Sequence, residues 1–129
     1  MKKILFLLLG ITLFASCQKK DDNGDLGGNW KLLQIEDFEN DTIINTKEYD
    51  RFWAIQLDLM QVTKVGLGRF QHIGDSLFVQ MIYVTDKPIS SFKEVGMYTP
   101  SDERYGVVHL DRKRMILRSK YAELDFRKF

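Results

Sequence analysis

The sequence predicts an all-β domain, an eight-stranded antiparallel up-and-down barrel with one short helical turn, and three observations carry that expectation. From Gly28 onward, apolar residues recur at every second position more often than at helical spacing. The runs are short, rich in β-branched and aromatic residues, and broken by turn residues. One break, Gly74-Asp75, is a two-residue hairpin signal, because Gly takes the positive φ of a primed turn. Consecutive antiparallel strands with mostly short connections form a meander, and closing it into a barrel removes the edges that invite aggregation.

The strands are expected over 28–36, 42–48, 51–62, 67–73, 76–85, 104–110, 114–119 and 122–128. The third carries Trp53, Ile55, Leu57 and Leu59 on one face. Around Gly74-Asp75, Ile73 should face Ser76, His72 should face Leu77, and Phe70 should face Val79. Opposite partners share a face. The same side therefore holds Phe70, His72, Leu77, Val79, Met81 and Tyr83, and it should point to the core. In the last strand Ala122, Leu124 and Phe126 alternate with Glu123, Asp125 and Arg127.

The connection from Asp86 to Glu103 is longer than compact domains usually use, and such segments tend to be functional or to hold structure of their own. Ser91-Phe92-Lys93-Glu94 has the spacing of a capping box, and Gly96 would end the helix almost at once. One helical turn is expected here, in a segment that is either an ordinary surface excursion or a lid over a barrel mouth.

Residues 1–16 have the layout of a secretory signal: Lys2-Lys3, an apolar run from Ile4 to Phe14, and the small pair Ala15-Ser16. That run is too short for a membrane-spanning helix, which needs about 20 apolar residues. Phe14-Ala15-Ser16-Cys17 resembles the lipobox of bacterial lipoproteins, which implies cleavage before Cys17 and acylation of its thiol. Cys17 is the only cysteine, so a disulfide within the chain is excluded and an anchor role is expected. Residues 17–27, polar and without a large apolar side chain before Leu26, should be a flexible tether. Gln18 after the cysteine is compatible with release to the outer membrane, facing either the periplasm or the cell exterior.

Removing 16 of 129 residues leaves 113, with 17 basic and 18 acidic side chains, and this lack of a basic surplus argues against nucleic acid as a partner. Residues 28–129 are enough for one domain with one core.

Gly28-Asn29-Trp30 resembles the G-x-W motif of lipocalins, and Leu124-Asp125-Phe126-Arg127-Lys128-Phe129 resembles the L-x-F-x-K close of lipocalin-like domains. The likeness spans Gly28 to Phe129. It implies a barrel whose Trp30 packs at the closed end, with Arg127 laid over its ring. It also implies an interior able to take a small apolar ligand, with Trp53, Leu57, Phe70, Met81 and Tyr83 as candidate lining. These are large side chains, so the cavity should be small, and an eight-stranded barrel can equally be filled by its own side chains. The competing expectation is then a filled barrel that meets an envelope protein through its surface.

Nothing in the sequence sets up catalysis. His72 and His109 lack metal-ligand spacing, and Ser76 falls on the opposite face of its strand from Leu77, the partner of His72. No enzyme activity, metal or cofactor is expected. The basic run Arg112-Lys113-Arg114 belongs to a turn, either solvated or in contact with anionic head groups.

Overall fold

The computed structural model describes residues 23–84, 92–99 and 102–129. The signal segment, Cys17, most of the tether and Ser91 of the expected capping box lie outside the described residues. A 3-10 turn (Gly24–Leu26) leads into β1 (Gly28–Asp37), β2 (Thr42–Asn45), β3 (Phe52–Gln56), β4 (Leu59–Val62) and β5 (Gly66–Ile73). There follow β6 (Ser76–Val84), β7 (Asp102–Leu110), β8 (Arg114–Arg118) and β9 (Ala122–Lys128).

All nine strands form one antiparallel sheet, in the order β2-β1-β3-β4-β5-β6-β7-β8-β9, and β1 returns to pair with β9. One edge of β1 runs along β9 from Trp30–Lys128 to Asp37–Ala122. Its other edge is divided, with β3 on Gly28–Lys31 and β2 on Gln34–Asp37. Eight strands, β1 with β3–β9, thus close the barrel, and β2 is a short addition at one end.

The count of eight is as expected, but its composition differs. The run 51–62 is two strands, because Leu57 turns to φ 56° and Gln56 pairs with Leu59 across Leu57-Asp58. The Phe70 amide holds that turn by donating to the Asp58 carbonyl at 3.1 Å. The two-residue turn inverts the alternation, so that Met60 and Val62 face the core opposite Ile55 and Trp53, and Leu59, expected on that face, is not in the buried set. Residues 42–48 keep strand structure only to Asn45, where Thr46 leaves the ladder. Its buried hydroxyl donates to the Leu32 carbonyl at 2.7 Å. That contact lies beside an irregularity in the β1–β9 pairing between Leu32 and Gln34.

The β5–β6 register is as read from the sequence, with Ile73 opposite Ser76, His72 opposite Leu77 and Phe70 opposite Val79. Gly74 makes the hairpin at φ 58°. Phe70, Leu77 and Val79 are buried, whereas His72 is exposed near the hairpin tip.

Up-and-down connection places the 3-10 turn, the β3–β4, β5–β6 and β7–β8 turns and the end of β9 at one end of the barrel. The β1–β2 loop, residues 46–51, the β4–β5 turn, segment 92–99 and the β8–β9 turn collect at the other, called the mouth below. The core between them includes the fully buried Trp30, Trp53, Tyr105 and Phe126. Burying an apolar side chain of this class contributes roughly 1.5–3 kcal/mol.

Candidate functional site

The closed end is built from the start and the finish of the barrel. Leu26 is fully buried, and its carbonyl accepts from Trp30 Nε1 at 2.7 Å. This stretch was expected to be tether, but its apolar residue seals the barrel floor instead. Trp30 therefore occupies the position that the G-x-W likeness implies. The cation over its ring is a correction: it is Lys128, with Nζ 4.8 Å from the ring centroid and donating to the Asp25 carbonyl at 2.8 Å. Arg127 is exposed. Alternation explains the exchange, because Lys128 shares the inward parity of Leu124 and Phe126 while Arg127 has the outward one. That signal was present in the sequence. The lysine stem also meets Gly28, whose missing Cβ would stand 3.3 Å from Lys128 Cε.

Of the residues expected to line a ligand cavity, the structure brings only some together. Trp53 is fully buried, tilted against Phe126 at 4.9 Å and edge-on to Tyr105 at 5.5 Å. Phe70 is buried, and Met81 packs half-buried against the core. Leu57 is not inside: it stands in the β3–β4 turn, 51% exposed. Tyr83 is not inside either; near the upper end of β6, beyond an irregularity in the β5–β6 register, it is 67% exposed.

The interior also holds a part of the chain that belongs to no strand. Segment 92–98 enters through the mouth, and Phe92, Val95, Met97 and Tyr98 are all buried in the core. Phe92 and Lys93 lie in a helical turn, after which Val95 and Met97 both donate to the Phe92 carbonyl. The segment is therefore a plug, neither a lid nor a surface excursion. Trp53 Nε1 donates to the Val95 carbonyl at 2.9 Å, and the Tyr105 hydroxyl to the Gly96 carbonyl at 3.1 Å. Arg51 Nη1 donates to the Glu94 carbonyl at 2.8 Å from the rim. Gly96 sits at φ 86° against Leu124, where a Cβ would come within 2.6 Å of Cδ1. Only glycine allows that approach.

The mouth also carries the polar side of this plug. The Tyr98 amide donates to Glu103 Oε2 at 3.0 Å, and the Tyr98 ring stacks on Tyr121 at 5.3 Å. Burial pushes the Glu103 carboxyl above its ordinary range, against the Tyr98 amide and the Tyr105 hydroxyl that draw it down. Tyr105 is itself pushed well up by burial and by the neighbouring Glu103 charge. Among the described residues no buried side-chain nitrogen or oxygen lacks a hydrogen-bond partner.

On the outside of β5–β7 an open concavity of 760 Å³ has Asp58, Arg69, Gln71, Phe78, Gln80, Asp102 and Arg104 as its exposed lining. Arg104 lies 5.5 Å over the Phe78 ring and donates to Ser76 Oγ at 3.2 Å.

The sequence profile of the family described as "Lipocalin-like domain" matches residues 12–129. Among curated proteins none matches. Among solved structures, a lipocalin-like protein from Bacteroides uniformis ATCC 8492 is similar at 17% identity and a TM-score of 0.62, covering 82% of this chain and 100% of its own. An uncharacterized protein from Bacteroides eggerthii DSM 20697 is similar at 15% identity and a TM-score of 0.59, with 80% and 98% covered.

Proposed function

Because the chain belongs to the lipocalin-like domain family, and because its barrel is occupied by residues 92–98, we propose that it is a lipid-anchored envelope protein that acts through its outer surface. The single observation that carries this reading is the plug. Val95 and Met97 fill the space that an apolar ligand would need, and the buried indole and phenol donors are already matched by backbone carbonyls. The outer face then offers an exposed aromatic ring, two guanidinium groups, two side-chain amides and two carboxylates in the β5–β7 concavity. Such a surface suits a polar partner in the envelope better than a free apolar molecule. The anchor is Cys17, held to an outer membrane by acyl chains, since one chain binds only marginally and two or more bind firmly.

The second reading, a small apolar ligand inside the barrel, is favoured by the donor pair of Trp53 and Tyr105. An apolar molecule bearing a carbonyl could take their hydrogen bonds if the plug withdrew. Titrating the purified protein with an environment-sensitive apolar dye, with native mass spectrometry for retained small molecules, decides between the two. A filled barrel takes up neither; saturable one-to-one uptake by the native protein overturns the proposal. For the anchor, Cys17→Ala should abolish fatty-acid labelling and membrane partitioning, and a variant that keeps both refutes it.

A further inference from the structure

We infer that the closed end of the barrel is a bilayer-contacting surface, so that the mouth and plug point away from the membrane; this rests on Cys17 being the lipid anchor. The argument begins with reach. Asn23 sits at the closed end, its side-chain amide donating to the Leu57 carbonyl at 2.7 Å. Only six peptide steps separate Cys17 from Asn23, so the connection spans at most about 20 Å. A tilted strand of eight or nine residues rises about 20 Å along a barrel axis. Turning the mouth to the bilayer would therefore require the whole tether drawn straight along the barrel wall.

The surface within that reach has matching chemistry. Leu57 in the β3–β4 turn, Ile73 at the β5–β6 hairpin and Phe129 beyond β9 are 51%, 64% and 82% exposed. Around them, Arg112 and Lys113 stand exposed in the β7–β8 turn, with Arg127 at the end of β9. The basic turn has a fixed shape, since Asp111 Oδ1 accepts from the amides of Lys113 and Arg114 at 2.7 Å each. Carboxylates share this end, so its positive surplus is slight and the apolar tips carry much of the contact. The mouth exposes apolar side chains too, Ile43 and Tyr49 among them, and its loops bring Asp37, Glu39, Asp41, Glu48, Asp50 and Glu94 beside Lys47, Arg51, Lys64, Lys93 and Lys120, so reach is what decides between the ends. Anionic head groups favour the closed end only slightly, through its basic turn.

Acylation of Cys17 blocks the only thiol of the chain, so a cysteine introduced by Ile73→Cys or Ile43→Cys can carry a single nitrobenzoxadiazole probe. Ile43 lies on β2 at the mouth end and is 67% exposed. The lipidated full chain is reconstituted into vesicles of phosphatidylcholine with phosphatidylglycerol. The probe at position 73 should shift to the blue and be quenched by a head-group spin label, while the probe at 43 stays water-like. Leu57→Ser with Arg112→Gln and Arg127→Gln should weaken the position-73 signal, and added salt should weaken it further. Vesicle flotation with both probes water-like overturns this inference alone. Loss of flotation together with absence of incorporated fatty acid overturns the anchor reading, and the inference with it.

Discussion

Replacing Gly96 by alanine should eject the plug while leaving the barrel closed. At φ 86° an L-residue is in the left-handed region, which costs about 1–2 kcal/mol. The new Cβ would stand 2.6 and 2.7 Å from the two methyls of Leu124, and crowding a packed core typically costs about 1–3 kcal/mol. The combined penalty is about 2–5 kcal/mol. Docking of residues 92–98 has little reserve to absorb it. Four buried apolar side chains contribute roughly 1.5–3 kcal/mol each, and the hydrogen bonds from Trp53, Tyr105 and the Tyr98 amide about 1 kcal/mol each. Ordering seven residues opposes this with about 1–2 kcal/mol apiece, so the midpoints leave a net of only about 2 kcal/mol. The variant should therefore take up an apolar dye that the native protein excludes, and its tryptophan emission should move to the red as Trp53 meets water. Urea unfolding should begin about 1 M earlier, given a slope of about 1–3 kcal/mol/M. A variant that excludes dye and unfolds within about 0.2 M of the native midpoint would refute the marginal docking of the plug.

Lys128→Ala should cost about 1–2 kcal/mol through the lost cation–π contact and the lost hydrogen bond to Asp25, whereas Arg127→Ala should fall within about 0.5 kcal/mol of native; paired thermal melts check both. Trp30→Phe leaves the buried Leu26 carbonyl without its donor and should destabilise by about 1–3 kcal/mol, read by urea unfolding. Leu57→Trp should be neutral in stability and leave dye exclusion intact, because position 57 is outside the barrel. The Glu103 carboxyl is raised in the folded protein, so its contribution is fully present below the ordinary value of 4.5 and is lost as pH rises through the folded value. Melts from pH 4 upward should show native protein losing stability relative to Glu103→Gln, and parallel profiles would contradict the assignment.

Much of the barrel is legible because strand alternation is a local property. The hairpin at Gly74-Asp75 has its turn chemistry and both flanking registers written within a dozen residues, and each of the three pairings read from it is present. The floor is legible in the same way, since alternation runs through to the last residues of β9. Counting from Phe126 selects Lys128, not Arg127, as the side chain that returns to the interior. The break at Leu57 leaves one faint mark, the inverted alternation at Leu59-Met60. A leucine at φ 56° satisfies no turn preference, and it is held there by the Phe70 amide from β5 and the Asn23 side chain from the closed end.

The plug was illegible for a different physical reason. Its residues are apolar at 92, 95, 97 and 98, a pattern too short to set a period, and their burial is decided by groups remote in sequence. Trp53 is 42 residues from the carbonyl it holds, and Leu124 shapes the pocket that only a glycine enters. What the sequence does contain is an inconsistency: a long connection carrying five large apolar side chains, which a solvated surface loop has no reason to keep. Interior volume in a small barrel is a shared resource, and wherever strands supply too little side-chain bulk near the mouth, a neighbouring segment that can supply it will be drawn in. A filled barrel follows here from the β6–β7 connection rather than from the strands. The same strands joined by a short polar turn would leave the Trp53 and Tyr105 donors facing an empty apolar cup, and that shortened protein should bind the dye the native chain refuses.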